Sequence, residues 1–348
     1  MRSYQFREYG QPLEAVDADD PSPTGSEVVV RTLGCGVCHS DLHVWEGHYD
    51  LGDDRRLDVR GGRDLPFTLG HEIAGEVVAV GPDAEGVEPG TRAVVFPWIG
   101  CGSCDVCLRD EEHLCPRPRG LGTFRDGGFS DRVVVPHPRY LFDYGDAPAD
   151  LACTYACSGL ASYSALEKVA GHRGRHTVIV GAGGVGLAGV SVAKATSDRE
   201  VIVVDIDADK LEAARRIGAD HVVDGSDRGA AKIIKDLTDG GPLAVVDCVG
   251  SEETASLGLR VLPRSGTLVI LGMLGGSLRV ALPLMPLKDL TIRGSYLGSL
   301  AEMGSLMELV REGRVAPIPR TTRELSDAQR TLDDLAEGTI VGRVVLTP

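Results

Sequence analysis

Four cysteines fall within fifteen residues, as Cys101-x2-Cys104-x2-Cys107-x7-Cys115. The residues among them include Asp105, Arg109, Asp110, Glu111 and Glu112, which cannot form a core around buried thiols. Four thiolates suit a closed tetrahedral zinc site, whose role is to hold a loop. An iron–sulfur cluster takes the same ligands, but a separate, open metal set favours zinc.

That open set comes from three segments: Gly36-Val37-Cys38-His39-Ser40-Asp41-Leu42-His43, Leu69-Gly70-His71-Glu72 and Ala156-Cys157-Ser158-Gly159. Cys38, His71 and Cys157 together make a Cys2His set, with a fourth position left for water or substrate. Each residue alone is a weak signal, since a lone cysteine or histidine is usually core or surface.

A third constellation is the run Gly181-Ala182-Gly183-Gly184-Val185-Gly186. The glycines permit a tight turn and let the backbone approach a pyrophosphate at a helix N-terminus. A glycine-rich turn without a ligand has the same composition. Here the run follows a predicted strand and opens a predicted helix, and Asp205 ends the next strand, nineteen residues after Gly186. Asp205 could simply cap a turn, but the combination points to dinucleotide binding.

The elements that must position these residues fall into two textures. Residues 1–155 carry short alternating runs such as Glu27–Arg31 and Gly75–Val80, the pattern of an irregular β domain. Charged stretches such as Asp53-Asp54-Arg55-Arg56 read as solvated loop. From about residue 158, strands are predicted at His176–Val180, Val201–Asp205, His221–Val223, Ala244–Asp247, Thr267–Leu271 and Leu290–Arg293. Amphipathic segments between them, such as Asp209–Ile217 and Ala230–Leu237, predict helices and hence a parallel, doubly wound sheet. After about residue 297 the pattern predicts one helix, Met303–Arg311, and a terminal strand, Gly342–Leu346.

Composition narrows the partners. With 36 basic and 51 acidic residues the formal net charge is -15, which repels nucleic acid and anionic membranes. No run approaches the roughly 18 apolar residues of a membrane span, and the first residues lack an apolar signal core. Nine cysteines, an odd number, in such a chain argue for metal binding over disulfides and for a cytoplasmic location.

Taken together, these motifs resemble the zinc-dependent medium-chain alcohol dehydrogenases, especially the tetrameric bacterial, archaeal and yeast branch. The resemblance runs over essentially the whole length, through Gly-Val-Cys-His-Ser-Asp at 36–41, Gly-His-Glu at 70–72, the 101–115 cysteine run, Cys-Ser-Gly at 157–159, the glycine loop, Asp205 and Gly342-Arg343. It implies an α/β subunit: a GroES-like β catalytic domain, residues 1–157 completed by 297–348, plus a Rossmann doubly wound parallel sheet at 158–296. It further implies a homotetramer that takes small alcohols, aldehydes or ketones as substrates, with NAD and two zinc ions, one catalytic and one structural, per subunit.

The resemblance also carries roles. Cys38, His71 and Cys157 ligate the catalytic zinc, and Cys101, Cys104, Cys107 and Cys115 the structural one. Glu72 sits behind the catalytic metal, where it can ligate it transiently, and counts with Ser40 and His43 among the catalytic residues. Ser40 and His43 relay a proton past the nicotinamide ribose. His39 and Arg343 meet the pyrophosphate together with the Gly181–Gly186 loop. Asp205 and Lys210 meet the adenosine ribose, and Val249 and Leu271 are further coenzyme contacts. Zinc lowers the pKa of a bound hydroxyl, the relay removes the proton, and the nicotinamide takes the hydride. Ser40 also fits as a helix cap, and His43 as a surface histidine.

The chain departs from the family pattern at three places. Ala161 stands where threonine often adjoins the nicotinamide, with Ser162 as a candidate replacement. The charged segment 49–64 is longer than in the yeast enzymes and is placed to rim the cleft. Gly120 stands where close relatives can carry a large aromatic, implying a roomier pocket. Two rival readings are a zinc-free quinone or enoyl reductase of the same superfamily and a non-catalytic NAD-binding protein. A missing ligand or relay residue would favour either, and none is missing.

Overall fold

The computed structural model describes residues 1–348. The strand Val28–Gly36 is the hub of the first half. It pairs antiparallel with Glu72–Val80, with Arg132–Val135 over its first residues and with Arg343–Thr347 over its last. Arg92–Val95 and Leu141–Phe142 extend this sheet on one side and Arg320–Glu324 on the other, giving seven strands. Val28, Val29 and Val30 are all buried, because both faces of the hub are covered. The register sets Gly36 opposite Glu72. The turns carrying Cys38 and His71 therefore lie at the same end of the sheet.

The second half is a six-stranded, all-parallel sheet. Its spatial order is His221–Asp224, Glu200–Asp205, His176–Val180, Ala244–Asp247, Thr267–Ile270, Thr291–Gly294, or 3-2-1-4-5-6 in chain order. Val201 through Val204 are fully buried, as expected of parallel strands covered by helices on both faces. The order reverses between His176–Val180 and Ala244–Asp247. That is the switch point where such sheets bind ligands beyond their carboxyl ends.

Three segments differ from the sequence expectation. The strand Arg320–Glu324 and the helix Ala328–Ala336 join the elements predicted after residue 297. The strand reads Arg-Thr-Thr-Arg-Glu and is a partly exposed edge, so it lacks an apolar face to signal it. The helix buries only Ala328, Thr331, Leu332 and Leu335, too short a stripe to stand out. The charged segment is not wholly loop. His48–Asp50 and Arg56–Asp58 pair as a hairpin, with Asp53 and Asp54 at positive φ in its turn, a conformation Asp tolerates better than most residues. The predicted helix at Met303 begins at Leu300, where Ser299 and Glu302 form a capping box.

Candidate active site

Cys38 precedes the helix His39–Glu46, and that helix start organises the site. The Asp41 side chain folds back on it, Oδ2 accepting the Cys38 backbone N–H at 2.9 Å. The other oxygen, Oδ1, accepts the Gly70 N–H at 3.1 Å and lies 3.0 Å from His71 Nδ1. Asp41 and His71 are both completely buried. The carboxylate fixes Nδ1 as the protonated ring nitrogen and leaves Nε2 as the donor atom. His71 Nε2 is buried and has no hydrogen-bond partner in the chain.

The Cys38 and Cys157 sulfurs lie within 4.8 Å of each other and of a His71 ring nitrogen. The Cys157 thiol bonds to Cys38, which pushes the Cys38 thiol well below its usual value and the Cys157 thiol well above. A cation held between the two buried sulfurs would satisfy both of them and the orphaned His71 nitrogen, so this donor set fits zinc. Asp41 was not singled out from the sequence. The available signal was its place three residues after Cys38, where an acid closes a capping box.

Glu72 follows His71 and is fully buried. It forms an ion pair with Arg343, which is 4% exposed. Burial raises the Glu72 carboxyl, opposed by the Arg343 charge. Neighbouring glycines make the space. A Cβ on Gly36 would stand 2.0 Å from Glu72 Oε2, and one on Gly184 would stand 2.2 Å from Arg343 Cδ. Arg343 thus links the carboxylate behind the ligand set to the N-terminus of the helix Gly184–Thr196.

The cleft between the two sheets has a volume of about 390 Å³. Cys38, His39, Ser40, His43 and Cys157 line one end; Asp205 and Lys210 also line the cleft, with Gly181, Gly183–Gly186, Val249, Leu271 and Arg343. Every predicted coenzyme residue therefore reaches one cavity, as do both relay residues. Ser40 Oγ is 3.8 Å from Cys38 Sγ. His43 packs against Tyr49 with ring centroids 4.6 Å apart, and its Nδ1 is 3.8 Å from Glu46 Oε2. Burial lowers the pKa of His43, while the Glu46 carboxylate works against that shift.

At the glycine loop, Gly181 has φ +94°, and a Cβ on Gly186 would stand 1.7 Å from the Gly181 carbonyl oxygen, so both positions require glycine. Asp205 accepts the Ala182 N–H at 2.6 Å and the Asp207 N–H at 3.0 Å. Each carboxylate oxygen keeps a lone pair for a ribose hydroxyl. Lys210 Nζ donates to the Gly338 carbonyl at 3.2 Å. Asp247, fully buried and not foreseen, holds the loop beside Val249. It accepts the Val249 and Gly250 N–H groups at 3.0 Å and the Thr254 hydroxyl at 2.9 Å.

The four-cysteine run forms a separate lobe. Its sulfurs approach at 3.5 Å (Cys104–Cys107), 3.7 Å (Cys104–Cys115) and 4.0 Å (Cys101–Cys107). Zn–S bonds of about 2.3 Å in a tetrahedron give edges of about 3.8 Å. The backbone N–H of Ser103 brings the Cys101 thiol down to about 5. Buried Glu112 ties the lobe to the body, accepting from Gly100 N at 3.2 Å, Tyr140 Oη at 2.9 Å and Arg139.

Two expectations at the rim are corrected. Ser162 does not replace the polar group missing at Ala161, because its hydroxyl donates to the Val185 carbonyl at 2.8 Å. Gly120 does not line the cleft. A Cβ there would stand 2.6 Å from Thr123 Oγ1 and 3.0 Å from the Pro97 carbonyl oxygen, so the glycine serves a tight turn.

Comparison with known proteins agrees with this geometry. The zinc-binding dehydrogenase family matches residues 184–312, and the alcohol dehydrogenase GroES-like domain matches residues 24–145. An NAD-dependent alcohol dehydrogenase of Sulfurisphaera tokodaii is 38% identical, and one of Saccharolobus solfataricus 36% identical, each over 100% of both chains. The crystal structure of the alcohol dehydrogenase from Aeropyrum pernix superposes with a TM-score of 0.90 at 31% identity, over 100% of both chains. With its two halves matched in order and its relatives aligned from end to end, the chain belongs to the zinc-dependent medium-chain alcohol dehydrogenases.

Proposed function

We propose that this protein is an NAD-dependent alcohol dehydrogenase, interconverting alcohols with aldehydes or ketones. The carrying observation is that Cys38 and Cys157, which form one donor set with His71, line the same cleft as the glycine loop. Its catalytic part spans 1–157 and 297–348, and its coenzyme part 158–296. It holds two zinc ions per subunit, one on Cys38, His71 and Cys157 and one on Cys101, Cys104, Cys107 and Cys115.

When bound, zinc supplies Lewis-acid polarisation of the substrate oxygen, and NAD supplies the hydride acceptor. The chain's own residues do the rest. Asp41 holds the His71 ring in one orientation and tautomer. Ser40 takes the hydroxyl proton and His43 passes it toward solvent. Arg343 and His39 hold the pyrophosphate, with the N–H groups that open the helix Gly184–Thr196. Asp205 and Lys210 hold the adenosine ribose. Glu72 balances the Arg343 charge inside the fold.

The protein assembles as a homotetramer in the cytoplasm. Its acidic surface supports the absence of nucleic-acid partners, and no helix is long and apolar enough to cross a membrane. The test is NAD reduction with primary, secondary, cyclic and aryl alcohols, together with metal analysis. Turnover with two zinc ions per subunit is expected. No turnover by zinc-loaded protein, or one metal ion or none, overturns the reading.

A further inference from the structure

Only two carboxylates line the cleft, Asp205 and Glu337, and they come from opposite halves of the molecule. Asp205 ends a strand of the six-stranded sheet. Glu337 caps the helix Ala328–Ala336, which lies in sequence between the strands Arg320–Glu324 and Arg343–Thr347 of the seven-stranded sheet. One hydrogen bond across the cleft fixes where Glu337 stands. Lys210 Nζ, on the helix that follows Asp205, donates at 3.2 Å to the carbonyl of Gly338, the residue after Glu337. The turn is also held from behind. Gly338 has φ +73°, and its N–H donates to the Leu335 carbonyl at 3.1 Å. The Thr339 N–H donates to the Asp334 carbonyl at 3.2 Å, and Asp334 pairs with Arg323 at 2.6 Å.

The charges around this turn do not cancel. Lys210 forms no ion pair with either acid, its ammonium being engaged by a carbonyl. Arg343, the cleft's arginine, is paired with Glu72. Asp205 is half-buried and accepts only backbone N–H groups. The Glu337 carboxylate is exposed and has no partner in the chain. Ribose hydroxyls can donate to such acids. A phosphate on the 2′ oxygen removes one of those donors and brings nearly two negative charges at neutral pH. Lys210 could reach that phosphate only by giving up Gly338, the contact that joins the two walls.

We propose that Glu337 is a second determinant of coenzyme choice, a carboxylate on the catalytic half that stands across the cleft from Asp205 and bars a 2′-phosphate. This rests on the dehydrogenase reading above and adds to Asp205 an acid from the opposite wall. Both halves of the subunit then select the coenzyme. An exposed acid is screened by solvent and ions, so its share is smaller than that of Asp205 and depends on salt.

The experiment measures direct binding of NADH and of NADPH to the zinc-loaded protein by nicotinamide fluorescence, without substrate. Glu337→Gln should tighten NADPH relative to NADH by about 5-fold, and Glu337→Lys by more. Glu337→Asp keeps the charge and should keep most of the wild-type preference. The gain in Glu337→Gln should shrink as salt rises from about 20 mM to about 500 mM, where the Debye length falls from about 20 Å to about 4 Å. An NADPH-to-NADH affinity ratio in Glu337→Gln and Glu337→Lys equal to that of wild type overturns the proposal. So does an equal change for both coenzymes, the mark of a turn that merely shapes the cleft, and so does a gain that salt leaves untouched. No binding of NADH by wild type overturns the dehydrogenase reading and this determinant with it, whereas NADH binding with an unmoved ratio in the variants sinks Glu337 alone.

Discussion

His71 meets Asp41 at 3.0 Å, with both side chains wholly out of solvent. The same carboxylate also holds the backbone N–H groups of Cys38 and Gly70. One acid thus sets two ligand-bearing turns and the tautomer of the ligand between them. Asp41→Asn keeps the shape and loses the charge. It should weaken zinc retention at the Cys38 site by about 10–100-fold. Competition with a chelator measures this; unchanged retention would show Asp41 to be only a turn-former.

The Glu72–Arg343 pair predicts an asymmetric stability pattern. Removing either partner leaves the other charge buried and alone, which costs about 3–5 kcal/mol. Glu72→Gln with Arg343→Met removes both charges. It should cost clearly less than the two single changes added together. Urea unfolding of the four proteins checks this, and additive losses would mean the charges are independent.

The relay predicts the acid limb of the pH profile. Burial lowers the pKa of His43 in the folded chain, so the ring is neutral at and above its ordinary value of about 6.5. Alcohol oxidation should hold as pH falls to that value and decline as pH drops through the lowered one. His43→Gln should remove that limb. The native state binds fewer protons here than the unfolded chain. The histidine's contribution to stability is therefore complete above about pH 6.5 and erodes as pH falls toward the lowered value. A limb unmoved in His43→Gln assigns it to another group.

Asp205 predicts NAD over NADP. A 2′-phosphate would meet Asp205, with Asp207 and Asp209 close by and Lys210 as the nearest cation in sequence. Like charges in a partly desolvated cleft cost several kcal/mol, so a preference of about 100-fold or more is expected, at about 1.4 kcal/mol per decade. Asp205→Ala should shrink it. Comparable kcat/KM values for the two coenzymes in wild type would dismiss the role.

The site was legible where chemistry restricts residue type. Thiols at fixed spacing, a glycine loop after a strand and an acid at the next strand end each have few other uses; the fold gathers the four thiols in a separate lobe and brings the glycine loop and Asp205 to the cleft that Cys38 and Cys157 line. Asp41 was passed over because an acid near a helix start looks like an ordinary cap, and Asp247 because it read only as the end of a strand; burial shows what each one holds. Ser162 and Gly120 were misread because sequence position says nothing of side-chain direction. Ser162 is spent on a carbonyl, and Gly120 faces a turn. The strand Arg320–Glu324 escaped because an edge strand need not bury an alternating face.

Arg343 lies 271 residues after Glu72, with the whole six-stranded sheet translated between them. At roughly 5–20 residues per second, Glu72 waits about 14–54 s for its counter-charge, and Val28–Gly36 waits longer still for its neighbour Arg343–Thr347. All seven predicted metal ligands have by then been made. The nascent first half therefore passes through a stage in which its thiols are present while its sheet lacks a strand and a buried acid lacks its base. That stage favours a protonated Glu72 and exposes the open edge of the hub strand. The order of synthesis makes the last strand the lock on a metal site whose ligands were all made long before.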